Sequence, residues 1–74
     1  MSYKVSVIIE KDDDGYYSYC PELPGCQTQG DDLSEVVSNI KEAIELYIET
    51  LSIEEKAALE HQEIMTMTLE VKVA

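Results

Sequence analysis

The sequence predicts an α+β domain, an antiparallel sheet with one long helix packed on a face, in the order β-β-β-α-α-β. Three observations carry that reading. Apolar residues alternate near both ends of the chain, an Asp14-Gly15 pair sits between two strand-like runs, and an apolar stripe recurs at helical spacing from Leu33 to Leu51.

Residues 3–10 open the fold. Tyr3, Val5, Val7 and Ile9 point one way and Lys4, Ser6 and Glu10 the other, with Ile8 the apolar exception, as in a half-buried strand. Lys11-Asp12-Asp13-Asp14-Gly15 breaks the run, and Asp-Gly between β-type segments is a hairpin signal. Tyr16-Tyr17-Ser18-Tyr19-Cys20 is aromatic and β-prone, so it reads as the returning strand. Pro21 and Pro24 lack the N–H that a ladder needs, which makes this stretch a turn or a strand edge, with a short third strand at about 25–29.

The helix is the clearest element. Leu33, Val36, Val37, Ile40, Ile44, Tyr47, Ile48 and Leu51 make one face, and Glu35, Ser38, Asn39, Glu42, Glu45 and Glu49 the other. Asp32 suits the N-cap, with Glu35 three residues on completing a capping-box-like pair. Ser52-Ile53-Glu54-Glu55 is an S-x-x-E capping box, so a second short helix is expected to about Glu60. Met65, Met67, Leu69, Val71 and Val73 then alternate with Thr66, Thr68, Glu70 and Lys72, predicting a closing strand whose methionines fill core. The helix is expected to cover a sheet face made by Val5, Val7, Tyr17 and Leu69.

Seventy-four residues make one domain, 1–74, whose core is marginal without a disulfide, a metal or a partner chain. A homo-oligomer, most simply a dimer, follows as an expectation, since at least one strand must lie at an open edge. Charge narrows the partners further. Five Lys and no Arg against sixteen Asp and Glu leave a net charge of −11. Such a surface repels phosphate backbones, so direct nucleic-acid binding is not expected, and a basic protein fits the field instead.

No apolar h-region follows Met1-Ser2-Tyr3-Lys4, and no apolar run approaches the roughly 20 residues that span a bilayer, so the expected location is cytoplasmic. Cys20 and Cys26 are expected as reduced, partly buried thiols. With one histidine, His61, and no C-x-x-C spacing, neither a metal nor another cofactor is expected.

Tyr16-Tyr17, Cys20-Pro21-Glu22-Leu23-Pro24-Gly25-Cys26, Gly30-Asp31, and Glu42-Ala43-Ile44 with Tyr47 resemble the HicB-like antitoxin domain over about residues 3–51. The resemblance implies a partial ribonuclease-H-like fold and a role in silencing HicA, a small basic toxin that cleaves messenger RNA. Full-length members add a C-terminal DNA-binding segment. Here Ala74 follows directly on Val73, so the expectation is a short form with no C-terminal DNA-binding domain. A stand-alone structural or regulatory domain without a toxin is the alternative.

Several residue groups invite a chemical role. Asp12, Asp13 and Asp14 could hold Mg²⁺, but adjacent aspartates on a hairpin tip point apart and do not form the two-ion clamp that such catalysis needs. They read as a solvated turn or as contacts for basic side chains. Cys26, Asp31 and His61 hold the residue types of a thiol-imidazole-carboxylate set, yet nothing in the sequence places His61 near the thiol, and no enzyme activity is expected. The prolines hold Glu22 and Leu23 in a rigid projection that suits either recognition or a corner. The candidate partner contacts are therefore Asp12, Asp13, Asp14, Tyr16, Glu22 and Leu23.

Overall fold

The computed structural model describes residues 2–74. Its sheet has three antiparallel strands in the order β1-β2-β3: β1 Ile8–Asp12, β2 Gly15–Tyr19 and β3 Gln27–Gly30. Two helices follow, α1 Leu33–Glu49 and α2 Ile53–Leu59. The α+β class, a hairpin between the first two strands and both helices stand as the sequence predicts, with the turn one residue earlier than Asp14-Gly15: Asp13 and Asp14 make it, and Gly15 opens β2 opposite Asp12.

Register decides which side of the sheet the helix covers. Ser18 lies opposite Ile9 on β1 and Thr28 on β3, while Tyr17 lies opposite Glu10 and Gln29. Directly opposed residues share a face, so Ile9, Ser18 and Thr28 form one face and Glu10, Tyr17 and Gln29 the other. Ser18 is fully buried and Tyr17 is exposed, which places α1 over the Ser18 face. The expectation that Tyr17 lies beneath the helix is corrected. Its ring instead stacks at a tilt on Tyr19, with centroids 5.8 Å apart, and its hydroxyl donates to Gln27 Oε1 at 2.8 Å. Tyrosines stand on both faces of β2, so hydrophobicity alone could not choose between them.

Size explains the choice. A Cβ on Gly30 would lie 2.8 Å from the Val36 nitrogen, so the first turn of α1 rests directly on β3 backbone. Ser18, small enough to let the helix close in, sits beside it. Val36, Ile40 and Ile44 are the buried residues of α1, and Ile40 and Ile44 join Cys20, Leu23, Cys26 and Leu59 in the core. Asp32 caps α1 by accepting from the Glu35 amide at 2.8 Å. The full reciprocal box forms at α2, where Ser52 Oγ accepts from Glu55 N at 3.1 Å and Ser52 N donates to Glu55 Oε1 at 2.9 Å.

Two strands differ from expectation. The first begins its ladder at Ile8 rather than at Tyr3, because β2 stops at Tyr19 and the chain then turns away. Opposite residues 3–7 there is no strand to pair with. A side chain takes the ladder's place, as the Ser6 amide donates to Glu22 Oε2 at 2.8 Å. Tyr3 and Val5 still pack on the core.

The closing strand is the larger correction. Residues 62–74 join no helix and no ladder. Met65, Met67, Leu69, Val71 and Val73 are 69–88% exposed, so neither the methionines nor Leu69 contribute to the core. Alternation specifies that one face of a strand is apolar, but a strand persists only when a neighbour takes up its backbone hydrogen bonds. Among the described residues, no strand pairs with this segment.

Candidate partner-binding surface

The Cys20–Cys26 loop is built by two consecutive turns. Leu23 N donates to Cys20 O at 3.1 Å, and Cys26 N donates to Leu23 O at 2.9 Å. Pro21 and Pro24 each stand second in their turn, where a fixed φ costs nothing. Gly25 takes the third place of the second turn with φ +84°, a conformation that side chains disfavour. Cys20 N then donates to Cys26 O at 3.0 Å and ties the loop shut. Tyr47 of α1 anchors it from outside, its hydroxyl donating to Pro24 O at 2.8 Å.

This closure turns Leu23 inward. It is only 2% exposed, so it is core and presents no contact surface to a partner. Glu22 is half-buried, its carboxylate accepting from Ser6 N and, at 3.8 Å, from the Cys20 thiol. Of the two readings open for the prolines, the corner is what the geometry serves. Cys20 and Cys26 are both free and buried. Burial first, and then the neighbouring Glu22 charge, push the Cys20 thiol up to about 11, and burial raises Cys26 as well. Thiols held protonated in this way are poor nucleophiles.

The hairpin end is different. Asp12 Oδ1 accepts from the Asp14 amide at 2.8 Å, which fixes the tip as an Asx turn. Asp12, Asp14 and Tyr16 line one depression together with Asp31 and Glu35. Tyr16 pairs with Gly30 across the sheet, so the chain leaving β3 delivers Asp31 to the same end as the hairpin tip. Asp31 and Glu35 are not among the contacts that the sequence predicts. The signal for them was the hairpin register, which sets Gly30 beside Tyr16. Lys11 lies near the same end, its Nζ 5.7 Å from the Tyr16 ring centroid, a cation–π contact. Asp13 is exposed at the tip. Glu22 and Leu23 lie at the far end of β2, about 17 Å away at about 3.3 Å per residue. The six candidate residues thus fall into two places, and only the hairpin end is an open acidic surface.

His61 lines a hollow with residues 2–4 and 59–63, whereas Cys26 lines another with Tyr17, Tyr19 and Gln27. The fold does not assemble them into one site. Among the described residues, no group of three or more His, Cys, Asp or Glu is arranged to hold a metal ion, and no helix is long and apolar enough to cross a membrane.

The chain is thus a small α+β domain with a tied proline loop at one end and an acidic hollow at the other. The family model described as HicB-like antitoxin of bacterial toxin-antitoxin system matches residues 4–72. The chain belongs to that family, as its motifs predicted, and membership implies a toxin partner in general. It is 46% identical over 71 residues to a UPF0150 protein of Synechocystis, covering 95% of this chain and 82% of the relative. A UPF0150 protein of Helicobacter pylori is 40% identical over 70 residues, covering 95% and 97%. One from Archaeoglobus fulgidus is 55% identical over 47 residues, covering 62% and 68%. No solved structure gives a significant match.

Proposed function

We propose that the protein is the antitoxin of a HicAB-type pair, binding and neutralising a small basic HicA-like ribonuclease. It acts by occupation and not by catalysis. The observation that carries this reading is the hollow lined by Asp12, Asp14, Asp31 and Glu35 on a chain of net charge −11. A groove that binds RNA phosphates must be basic, and clustered carboxylates compete for the same cations. Long-range attraction from the remaining acidic surface speeds the encounter, and screening beyond about 10 Å at 0.1 M salt weakens it.

The test is an RNA-cleavage assay with a purified basic HicA-like ribonuclease, with and without equimolar amounts of this protein. Loss of cleavage is expected. Replacing Asp12, Asp14 and Asp31 together with Asn should slow association at low salt while leaving dissociation nearly unchanged, because rim charges act mainly on the encounter. Undiminished cleavage, or an unchanged association rate in the triple variant, refutes the proposal and leaves a stand-alone domain.

A further inference from the structure

The chain leaves two incomplete surfaces that match each other. One is the outer edge of β1. In the order β1-β2-β3 the sheet has two edges, and they are not equivalent. The β3 edge is short and polar, and Asn39 of α1 reaches across to donate to Gln29 O at 3.0 Å. The β1 edge lies open beside an apolar groove. Val5 and Val7, from the stretch leading into β1, and Ile9 of β1 line one side of it, and Val37, Ile40 and Ile44 of α1 the other. Val37 belongs to the helical stripe yet remains exposed, because it overhangs this groove where no strand lies beneath it.

The other surface is the C-terminal segment. Among the described residues, six large apolar side chains are more than two-thirds exposed, and five of them are Met65, Met67, Leu69, Val71 and Val73. They occupy every second position, so a strand formed by this segment carries all of them on one face. The segment projects from the body of the molecule. The radius of gyration is 14.5 Å and the longest extent 49 Å, whereas a compact chain of this length has a radius near 11 Å. The segment starts next to residues 2–4, at the foot of β1, and still does not lie on its own edge.

We propose that the occupant of the β1 edge is residues 65–73 of a second copy of this chain, exchanged reciprocally in a two-fold dimer. Each copy donates one strand and receives one, so both open edges and both exposed tails are satisfied in a closed assembly. The donated strand extends the sheet beneath Val37 and supplies the closing strand that the alternation predicts. Charge distribution permits it. Residues 64–74 hold only Glu70 and Lys72 and so are neutral, in a chain whose net charge is −11. The exchanged parts are the ones that do not repel. The arrangement makes no use of a toxin, so it stands or falls on the isolated protein.

The experiment is light scattering on the full chain, combined with isotope-filtered NMR on a mixture of labelled and unlabelled protein. A dimeric mass is expected, with contacts between Leu69 or Val71 methyls of one copy and Val7 or Ile9 methyls of the other. Leu69→Lys, on the apolar face, should raise the dimer dissociation constant on the order of 10-fold to 100-fold. Thr68→Lys, on the opposite face, should leave it unchanged and so controls for a general effect of added charge. The helical signal of α1 in the Leu69→Lys monomer checks that the fold survives. A monomer whose tail contacts only its own β1 overturns the proposal. So does a dimer lacking tail-to-β1 contacts between copies, or one weakened equally by the two variants.

Discussion

Gly30→Ala tests the closest approach in the fold. The added methyl would lie 2.8 Å from Val36 N, 3.1 Å from Val36 Cα and 3.2 Å from Glu35 C. All three are backbone atoms, so no side chain can swing aside. Ordinary contact begins at 3.4 Å, which requires the first turn of α1 to retreat by about 0.6 Å. That retreat pulls on the bond from Asn39 to Gln29 O and on the Asp32 cap. Overpacking of this kind costs about 1–3 kcal/mol. Loss of glycine's freedom in the unfolded chain offsets about 0.4–1 kcal/mol. At the middle of both ranges the net loss is about 1.3 kcal/mol, which lowers the melting temperature by about 5–10 °C in a domain of this size. Thermal unfolding by far-ultraviolet circular dichroism, at matched protein concentration, measures it. Asn separates the steric cause from a conformational one. At Gly25, where φ is +84° and a Cβ meets nothing within 4 Å, Asn should cost less than Ala. At Gly30 it should cost more. A Gly30→Ala protein that melts within about 2 °C of the parent refutes the placement of α1 on β3.

Three further outcomes are expected. Ser18 Oγ is buried with no hydrogen-bond partner among the described residues, so Ser18→Ala should stabilise the fold by about 1 kcal/mol in urea unfolding. Tyr47→Phe removes the bond to Pro24 O and should cost about 0.5–1.5 kcal/mol, with faster amide exchange in the Cys20–Cys26 loop. Hydrogen bonds from the Ser52 backbone and side chain lower the Glu55 pKa. The charged form is therefore favoured in the folded state, and its contribution is present above the ordinary glutamate range and lost as pH falls through the depressed value. Local NMR signals of α2 should weaken over that acid range, and Ser52→Ala should weaken them at neutral pH and flatten the dependence.

Much of the fold is written in neighbours along the chain. The stripe from Leu33, the Asp32 cap, the Ser52–Glu55 box and the Asp14-Gly15 hairpin each involve residues within a few positions of one another. Local bonding settles them, and the tertiary structure merely uses them. The loop motif was legible as a rigid turn, and the acidity of the hairpin tip as a feature of composition. Tertiary structure decided the rest. Tyr16 stands on one face of β2 and Tyr17 and Tyr19 on the other, and the close approach of Val36 to Gly30, beside the small buried Ser18, sets the helix over the Ser18 face. Leu23 sits between prolines, in a stretch that suits projection as well as a corner, and two turn bonds fold it into the core. Asp31 and Glu35 join the hairpin aspartates because strand register, a long-range property, brings them to one end. The alternation at 65–73 shows the same division most sharply. Side-chain order along a segment determines which face is apolar, but the partner that completes its backbone hydrogen bonds lies far away in sequence or on another chain.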